Sequence, residues 1–308
     1  GNFNNELGLP LTVFRLRQEH EIAVLEMGIS DFGEMHRLAK IAKPDTCVIT
    51  NIGLCHLEFL KSRDGILKAK TEIFDFLKPT GHVILNGDDD KLVTVEEVKG
   101  IKPMFFGIEN KGGIWADEIK PEGLKGISCC IHTEKGSFSV LIPIPGHHMV
   151  YNALAGTAVG LTYGLNLEEI KAGIESLQPV SGRFHIIDTG KYTVVDDCYN
   201  ANPVSMKASL DVLTDALGRK VAILGDMGEL GKEEVEMHRE VGVYAASKNL
   251  DLLICVGELS QYMAEAARHA APTKNILHFK TKEELLQELG GVLQEGDTVL
   301  VKASHFMG

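Results

Sequence analysis

The sequence has no CxxC pair among its six cysteines, no apolar run long enough to span a membrane, no internal repeat and no low-complexity tract. Each absence removes a class of protein. Cys47, Cys55, Cys129, Cys130, Cys198 and Cys255 lack zinc-ligand spacing, so no structural zinc site is expected. Cys47, Cys55 and Cys255 lie in or beside apolar runs, as small hydrophobes do, which predicts reduced thiols and a cytoplasmic setting. The lack of a long apolar segment argues against membrane insertion. Basic charge is also scarce: the formal net charge is −12 at pH 7. Nucleic-acid backbones need a basic surface, so no nucleic-acid partner is expected. A nucleotide can still be held by a few local donors and a metal ion.

What is there is an ordinary globular balance. The 308 residues are 44% hydrophobic and 24% charged, which suits about two domains, each with a core of its own. The first residue is Gly, so the chain is expected to be a piece of a longer one. Short apolar runs alternate with amphipathic stretches. Strands are predicted at Ile22–Leu25, Cys47–Thr50, His82–Leu85 and Met104–Phe106, with helices over Gly33–Ala42 and Gly65–Leu77. Ile127–Thr133 and Ser137–Ile144 alternate around Glu134-Lys135-Gly136 and predict a hairpin. Helices follow over Met149–Tyr163 and Leu167–Ser176, then a break at Gln178–Gly182. Beyond it the strand and helix alternation restarts and runs to Val301. The pattern predicts an α/β protein: a mostly parallel-sheet domain over residues 1–180 and a smaller, doubly wound, Rossmann-like domain over 181–308.

Several polar groups fall at the carboxyl ends of predicted strands, where open parallel sheets place their ligand crevice. Glu26 ends the first, although a lone strand-end glutamate is more often simply solvated. His56 follows the second, in Thr50-Asn51-Ile52-Gly53-Leu54-Cys55-His56. A carboxylate and an imidazole there could hold a divalent ion, but magnesium prefers oxygen and a structural histidine is the commoner case. Lys70 and Glu72 lie two residues apart on a predicted helix and so do not share a face. Asn86-Gly87-Asp88-Asp89-Asp90 suits a strand-end turn or a nucleotide's polar edge. His147, His148 and Asn152 open a helix, where free N–H groups and the dipole favour an anion. Arg183, just past the break, could face a migrating phosphoryl group. Asp196-Asp197 could take ribose hydroxyls, and Pro203 suits the first turn of the next helix. Leu224-Gly225-Asp226-Met227-Gly228 and Lys302-Ala303-Ser304-His305 close two further strands. Together they suggest a polar cleft.

The order of these strings resembles the Mur ligase family. The carrying residues are Asn2-Phe3-Asn4-Asn5, Gly8-Leu9-Pro10-Leu11-Thr12, Glu26-Met27-Gly28, Thr50-Asn51-Ile52-Gly53 with His56-Leu57-Glu58, and Ala69-Lys70-Thr71-Glu72-Ile73-Phe74. The second half adds Tyr151-Asn152-Ala153-Leu154-Ala155, Tyr199-Asn200-Ala201-Asn202-Pro203 and Gly225-Asp226-Met227-Gly228-Glu229-Leu230-Gly231. The resemblance covers essentially the whole chain. The Asn-Ala-Asn-Pro and Gly-Asp-Met strings favour the branch that adds a dipeptide over relatives that add one residue.

The resemblance implies an ATPase domain and a C-terminal domain, without the family's first domain and without its Gly-Lys-Thr phosphate loop, so that this piece alone is expected to be inactive. It implies an ATP- and Mg2+-dependent carboxylate–amine ligase of peptidoglycan precursor synthesis. The partners would be UDP-muramoyl-tripeptide and D-Ala-D-Ala, and the protein a monomer. It makes Glu26 and His56 magnesium ligands and Lys70 a carbamylated lysine that holds a second magnesium. His148, Asn152 and Asn86 would lie near the nucleotide, Asp197 near ribose and Arg183 near the γ-phosphate. Asn4, Asn5 and Thr12 would face the muramoyl-peptide, and Asn200 and Asn202 the dipeptide. The family often has Arg in place of His305 and Gly in place of Lys61. Two other readings are a ligase of the folylpolyglutamate or cyanophycin type, and a non-catalytic binding protein on the same scaffold.

Overall fold

The computed structural model describes residues 2–53, 57–180 and 182–308, with Leu57 and Glu58 as backbone only. The first half contains α1 (Gly8–Val13), α2 (Glu34–Ala42), β1 (Thr46–Ile49), α3 (Leu57–Leu60), α4 (Arg63–Thr71), β2 (His82–Asn86), β3 (Met104–Gly107) and β4 (Ile114–Pro121). Then come β5 (Ile127–Thr133), β6 (Gly136–Ile142), α5 (His148–Thr162) and α6 (Leu167–Glu175). The six strands form one sheet in chain order, with β1 to β4 mutually parallel. Neighbouring β5 and β6 are joined by only Glu134 and Lys135, a connection that an antiparallel pair alone can make.

The second half contains β7 (His185–Asp188), β8 (Thr193–Asp196), α7 (Pro203–Thr214), β9 (Lys220–Gly225), α8 (Glu234–Ser247) and β10 (Leu252–Val256). It ends with α9 (Ser260–Ala270), β11 (Ile276–Phe279), α10 (Lys282–Val292) and β12 (Thr298–Lys302). Its sheet has the order β11-β10-β9-β12-β8-β7. All neighbours are parallel except β7 on β8. The chain leaves β8, skips one place to β9, moves outward to β11, and returns with β12 into the gap. That reversal puts the carboxyl ends of β8, β12 and β9 side by side, the position where doubly wound sheets bind ligands. By contacts the chain divides into two compact units. One takes Gly1–Asp117, Ile131–Phe138 and Tyr151–Ile170; the other takes Glu118–Cys130, Ser139–Val150 and Lys171–Gly308.

Local chemistry explains the element starts. Ser62 accepts the Gly65 amide ahead of α4, and Thr281 accepts the Glu284 amide ahead of α10. Asn202 and Ser205 form a capping box on α7, with Pro203 in its first turn. The buried strands β2 and β10 are near-continuous apolar runs, as parallel strands covered on both faces should be. The strand predicted at Ile22–Leu25 does not form: Val24 is 90% exposed and Ile22 61%, and no described strand pairs with this segment. The helix predicted to Leu77 tightens instead into a 3-10 turn over Glu72–Phe76.

Candidate functional site

The carboxyl edge of the first sheet is built around Thr50–Gly53. Asn86, buried at the end of β2, donates to the Thr50 carbonyl at 3.0 Å, and its own oxygen accepts the Asp88 amide at 3.0 Å. Asp89 accepts the Ile52 amide at 2.7 Å. Arg63 donates to the Ile52 carbonyl at 3.1 Å and grips Asp90 with two bonds of 2.9 and 2.5 Å. Half-buried Lys70, near the end of α4, donates to the Asn51 carbonyl at 2.8 Å. Lys70 is thereby drawn to the loop that leads to His56, a residue outside the described ones. Glu72 turns the other way, accepting the Gly33 amide at 2.9 Å and the His36 amide at 3.2 Å at the start of α2. The two residues of the Lys-Thr-Glu string therefore serve different sites.

Glu26 is exposed, and its Oε1 accepts the side-chain amides of Asn2 at 2.8 Å and Asn4 at 2.9 Å. The Gly28 amide donates to the Asn4 carbonyl, and a Cβ at Gly28 would stand 2.8 Å from the Asn4 amide nitrogen. Glycine is thus what lets Asn4 reach Glu26. Asn5 accepts the Leu7 and Gly8 amides ahead of α1, and Thr12 bonds back to the Gly8 carbonyl. The second oxygen of Glu26 is the kind of donor magnesium takes. Lys70 as an ammonium is a donor only, and fits a cation site only once carbamylation gives it oxygens.

Asp88 accepts from the Ile108, Glu109 and Asn110 amides at 2.5, 3.0 and 2.6 Å and from the Tyr151 hydroxyl at 3.0 Å. Burial acts to raise its pKa, but these four hydrogen bonds together outweigh burial and hold it below the usual value. Tyr151 is pushed up, by burial first and then by Asp88. The pair ties α5 to the turns after β2 and β3. Asn152 follows, exposed, one turn into α5.

At the carboxyl edge of the second sheet, Asp197 accepts the Phe184 amide at 3.2 Å, the Ser209 hydroxyl at 2.7 Å and the Lys302 ammonium at 2.7 Å. Arg183 is exposed and stacks over the Tyr199 ring at 4.3 Å, while the Tyr199 amide donates to the Gly182 carbonyl. Asn200 accepts the Ala201 amide, and Asn202 caps α7, leaving its NH2 as the group able to face a ligand. His148 opens α5. Although much of its surface reaches solvent, crowding by protein atoms lowers its pKa. Asp197 opposes that shift, and Lys302 and His147 add to it.

The sequence set Lys302 among the strand-end polar groups but gave it no role of its own. A lysine ending the run Thr-Val-Leu-Val is the signal available for it, and that signal says nothing of its partners. Burial is the first cause that pushes the Cys47 and Cys255 thiols up to about 12 and Cys198 to about 11, so they behave as hydrophobes.

The family profile of the Mur ligase middle domain matches residues 1–160, and that of the Mur ligase glutamate ligase domain matches residues 182–305. The chain belongs to the Mur ligase family. This Mur ligase chain is 37% identical, over all of its length and 66% of the relative's, to the UDP-N-acetylmuramoyl-tripeptide–D-alanyl-D-alanine ligase of Bacillus subtilis. A crystal structure of MurF from Acinetobacter baumannii matches all of the chain with a TM-score of 0.89 at 35% identity, over 67% of that structure. The MurF ligase of Thermotoga maritima, solved in complex with ADP, matches with a TM-score of 0.85 at 30% identity, over 69% of its chain. The Mur ligase chain thus spans about two thirds of the length of the relatives it matches. None of its described helices is long and apolar enough to cross a membrane.

Proposed function

We propose that this chain carries the ATP-using part of a cytoplasmic ligase that joins D-alanyl-D-alanine to UDP-N-acetylmuramoyl-tripeptide during peptidoglycan precursor synthesis. One observation carries the reading: the whole chain aligns, at 37% identity, with a curated ligase of that name. In this reading the central ATPase domain runs to about residue 180 and the C-terminal domain follows.

The tripeptide carboxylate attacks the γ-phosphorus of ATP, the bond to the ADP oxygen breaks, and an acyl phosphate forms. The dipeptide amine then attacks the acyl carbon, phosphate leaves and the amine proton is lost. Arg183 sets a guanidinium against the transferring phosphoryl oxygens. His148 and Asn152 border the nucleotide base, Asn86 shapes its pocket by holding Thr50, and Asp197 faces ribose with its remaining lone pairs. Asn200 and Asn202 offer amides to the dipeptide, and Asn4, Asn5 and Thr12 line the muramoyl-peptide's approach. Glu26 and His56 would hold magnesium, with Lys70 joining once carbamylated; the ion supplies positive charge against the phosphate oxygens.

The test is a mass-spectrometric assay of the protein, with any upstream residues of its reading frame, supplied with ATP, magnesium, both substrates and control acceptors. The expected product is heavier than the tripeptide precursor by D-Ala-D-Ala less water, with one phosphate released. Ligation of a glutamate acceptor instead would move the assignment to a ligase of the folylpolyglutamate type. The 308 residues contain no Gly-Lys-Thr loop, so by themselves they are expected to turn over slowly or not at all. Ready turnover by them alone would contradict this.

A further inference from the structure

Lys302 is the last residue of β12 and is 2% exposed. Its neighbours along the strand are apolar and mostly buried, so a Met or Leu would fill the same space without the desolvation that an ammonium suffers. The ammonium is surrounded by acceptors from one short segment. Nζ lies 2.7 Å from Asp197 Oδ2, 2.9 Å from the Asn200 carbonyl and 3.4 Å from the Asp197 carbonyl. The loop Asp197–Asn202 therefore closes around one cation. The same loop sends the Tyr199 amide to the Gly182 carbonyl, and its Asp197 carboxylate accepts the Phe184 amide, so residues on both sides of Arg183 are tied to it. Ser209, on α7, also donates to Asp197 Oδ2, at 2.7 Å.

We propose that Lys302 is a positioning residue for the ligase reaction: its buried ammonium fixes the Asp197–Asn202 loop, and through it Arg183, Asn200 and Asn202. A buried ion pair adds little net stability over an apolar replacement of the same volume, but it can select one arrangement among several. Here the selected arrangement sets three groups that, on the proposed function, meet the phosphoryl group and the dipeptide. Asn200 is held through its carbonyl by Lys302, which orients the residue and leaves its NH2 to a ligand. The inference rests on that functional reading only for the identity of the substrates; the ordering of the loop is tested without them.

The experiment compares Lys302→Met and Lys302→Arg with the unsubstituted protein, including any upstream residues, by hydrogen exchange and by steady-state ligation. In K302M, backbone amides of residues 182–202 are expected to exchange faster by about tenfold or more, while β9 and β10 keep their protection. The KM for D-Ala-D-Ala is expected to rise on the order of tenfold with a fall in kcat, while the KM for the muramoyl-tripeptide stays unchanged. K302R restores part of both. Unchanged exchange at 182–202 would overturn the proposal, as would a faster-exchanging loop with wild-type KM and kcat. If K302M does not fold, Ser209→Ala, which removes one of the two side chains on Asp197 Oδ2, is expected to shift the same segment by a smaller amount; no shift there would also overturn it. If the unsubstituted protein does not ligate D-Ala-D-Ala at all, the functional reading fails, and the exchange result still decides whether Lys302 orders the loop.

Discussion

Asp88 shows how a carboxylate in a motif can serve the scaffold rather than the ligand. It takes three backbone amides and a tyrosine hydroxyl, so Asp88→Ala leaves the part-buried donors of Ile108, Asn110 and Tyr151 without this acceptor and is expected to cost about 1–3 kcal/mol in a denaturation experiment. Its folded pKa lies below the unfolded one. The stability it contributes is therefore fully present above the ordinary aspartate value near 3.8 and is lost as pH falls through the folded value. In urea titrations the wild-type and D88A curves are expected to converge as pH drops below that value. A gap that stays constant to the lowest pH would contradict the assignment. The turn containing Asp88 was visible in the sequence as an Asx-Gly cluster, but its partners at Ile108–Asn110 and Tyr151 were not. They are distant in the chain and meet only once β3 and α5 are placed. Lys70 was opaque for a related reason. Helical spacing shows that it does not share a face with Glu72, but not that its ammonium reaches the Asn51 carbonyl.

At the scale of elements, the buried parallel strands were legible because both faces are covered and their sequences are continuous apolar runs. β4 was not: Ile-Trp-Ala-Asp-Glu-Ile-Lys-Pro is half-exposed and carries three charges, so its apolar signal is diluted. Ile22–Leu25 has strand composition, yet composition cannot supply a neighbouring strand. Lys61, where the family often has Gly, takes φ +67°, a left-handed conformation that glycine adopts without cost. Two tests belong to this scale. Gly65, inside the first turn of α4, has no room for a side chain: a Cβ would sit 1.9 Å from the Leu60 carbonyl oxygen. Gly65→Ala is therefore expected to destabilise by about 2 kcal/mol or more, although alanine favours a free helix by about 1 kcal/mol. A stabilised variant in thermal melts would show that the α3–α4 junction is wrongly placed. On the proposed function Asn202 has two separable roles: its oxygen caps α7, and its NH2 would meet the dipeptide. Asn202→Asp keeps the cap, so stability should stay within about 0.5 kcal/mol. The same change removes the donor, so the KM for D-Ala-D-Ala should rise. Equal KM values for N202D and wild type would remove Asn202 from the dipeptide site.

At the scale of the molecule, both sheets present polar loops at the carboxyl ends of parallel strands, and the expectation of two α/β sheets survives in both halves. On the proposed function the acidic net charge of −12 does not oppose nucleotide binding, because the charge that would matter is local: Lys70 at the edge of one sheet, Arg183 and Lys302 at that of the other. On the proposed function, the deciding step is the phosphorylation of a carboxylate before an amine captures it. The measurement that reaches it most directly uses tripeptide precursor labelled with 18O in its reacting carboxylate. Incubated with the protein and any upstream residues, ATP, magnesium and D-Ala-D-Ala, it should yield the dipeptide-extended product, with one labelled oxygen in each phosphate released. Amide product with unlabelled phosphate would rule out the acyl phosphate. Labelled precursor recovered intact, from folded protein that binds ATP, would contradict the ligase account itself.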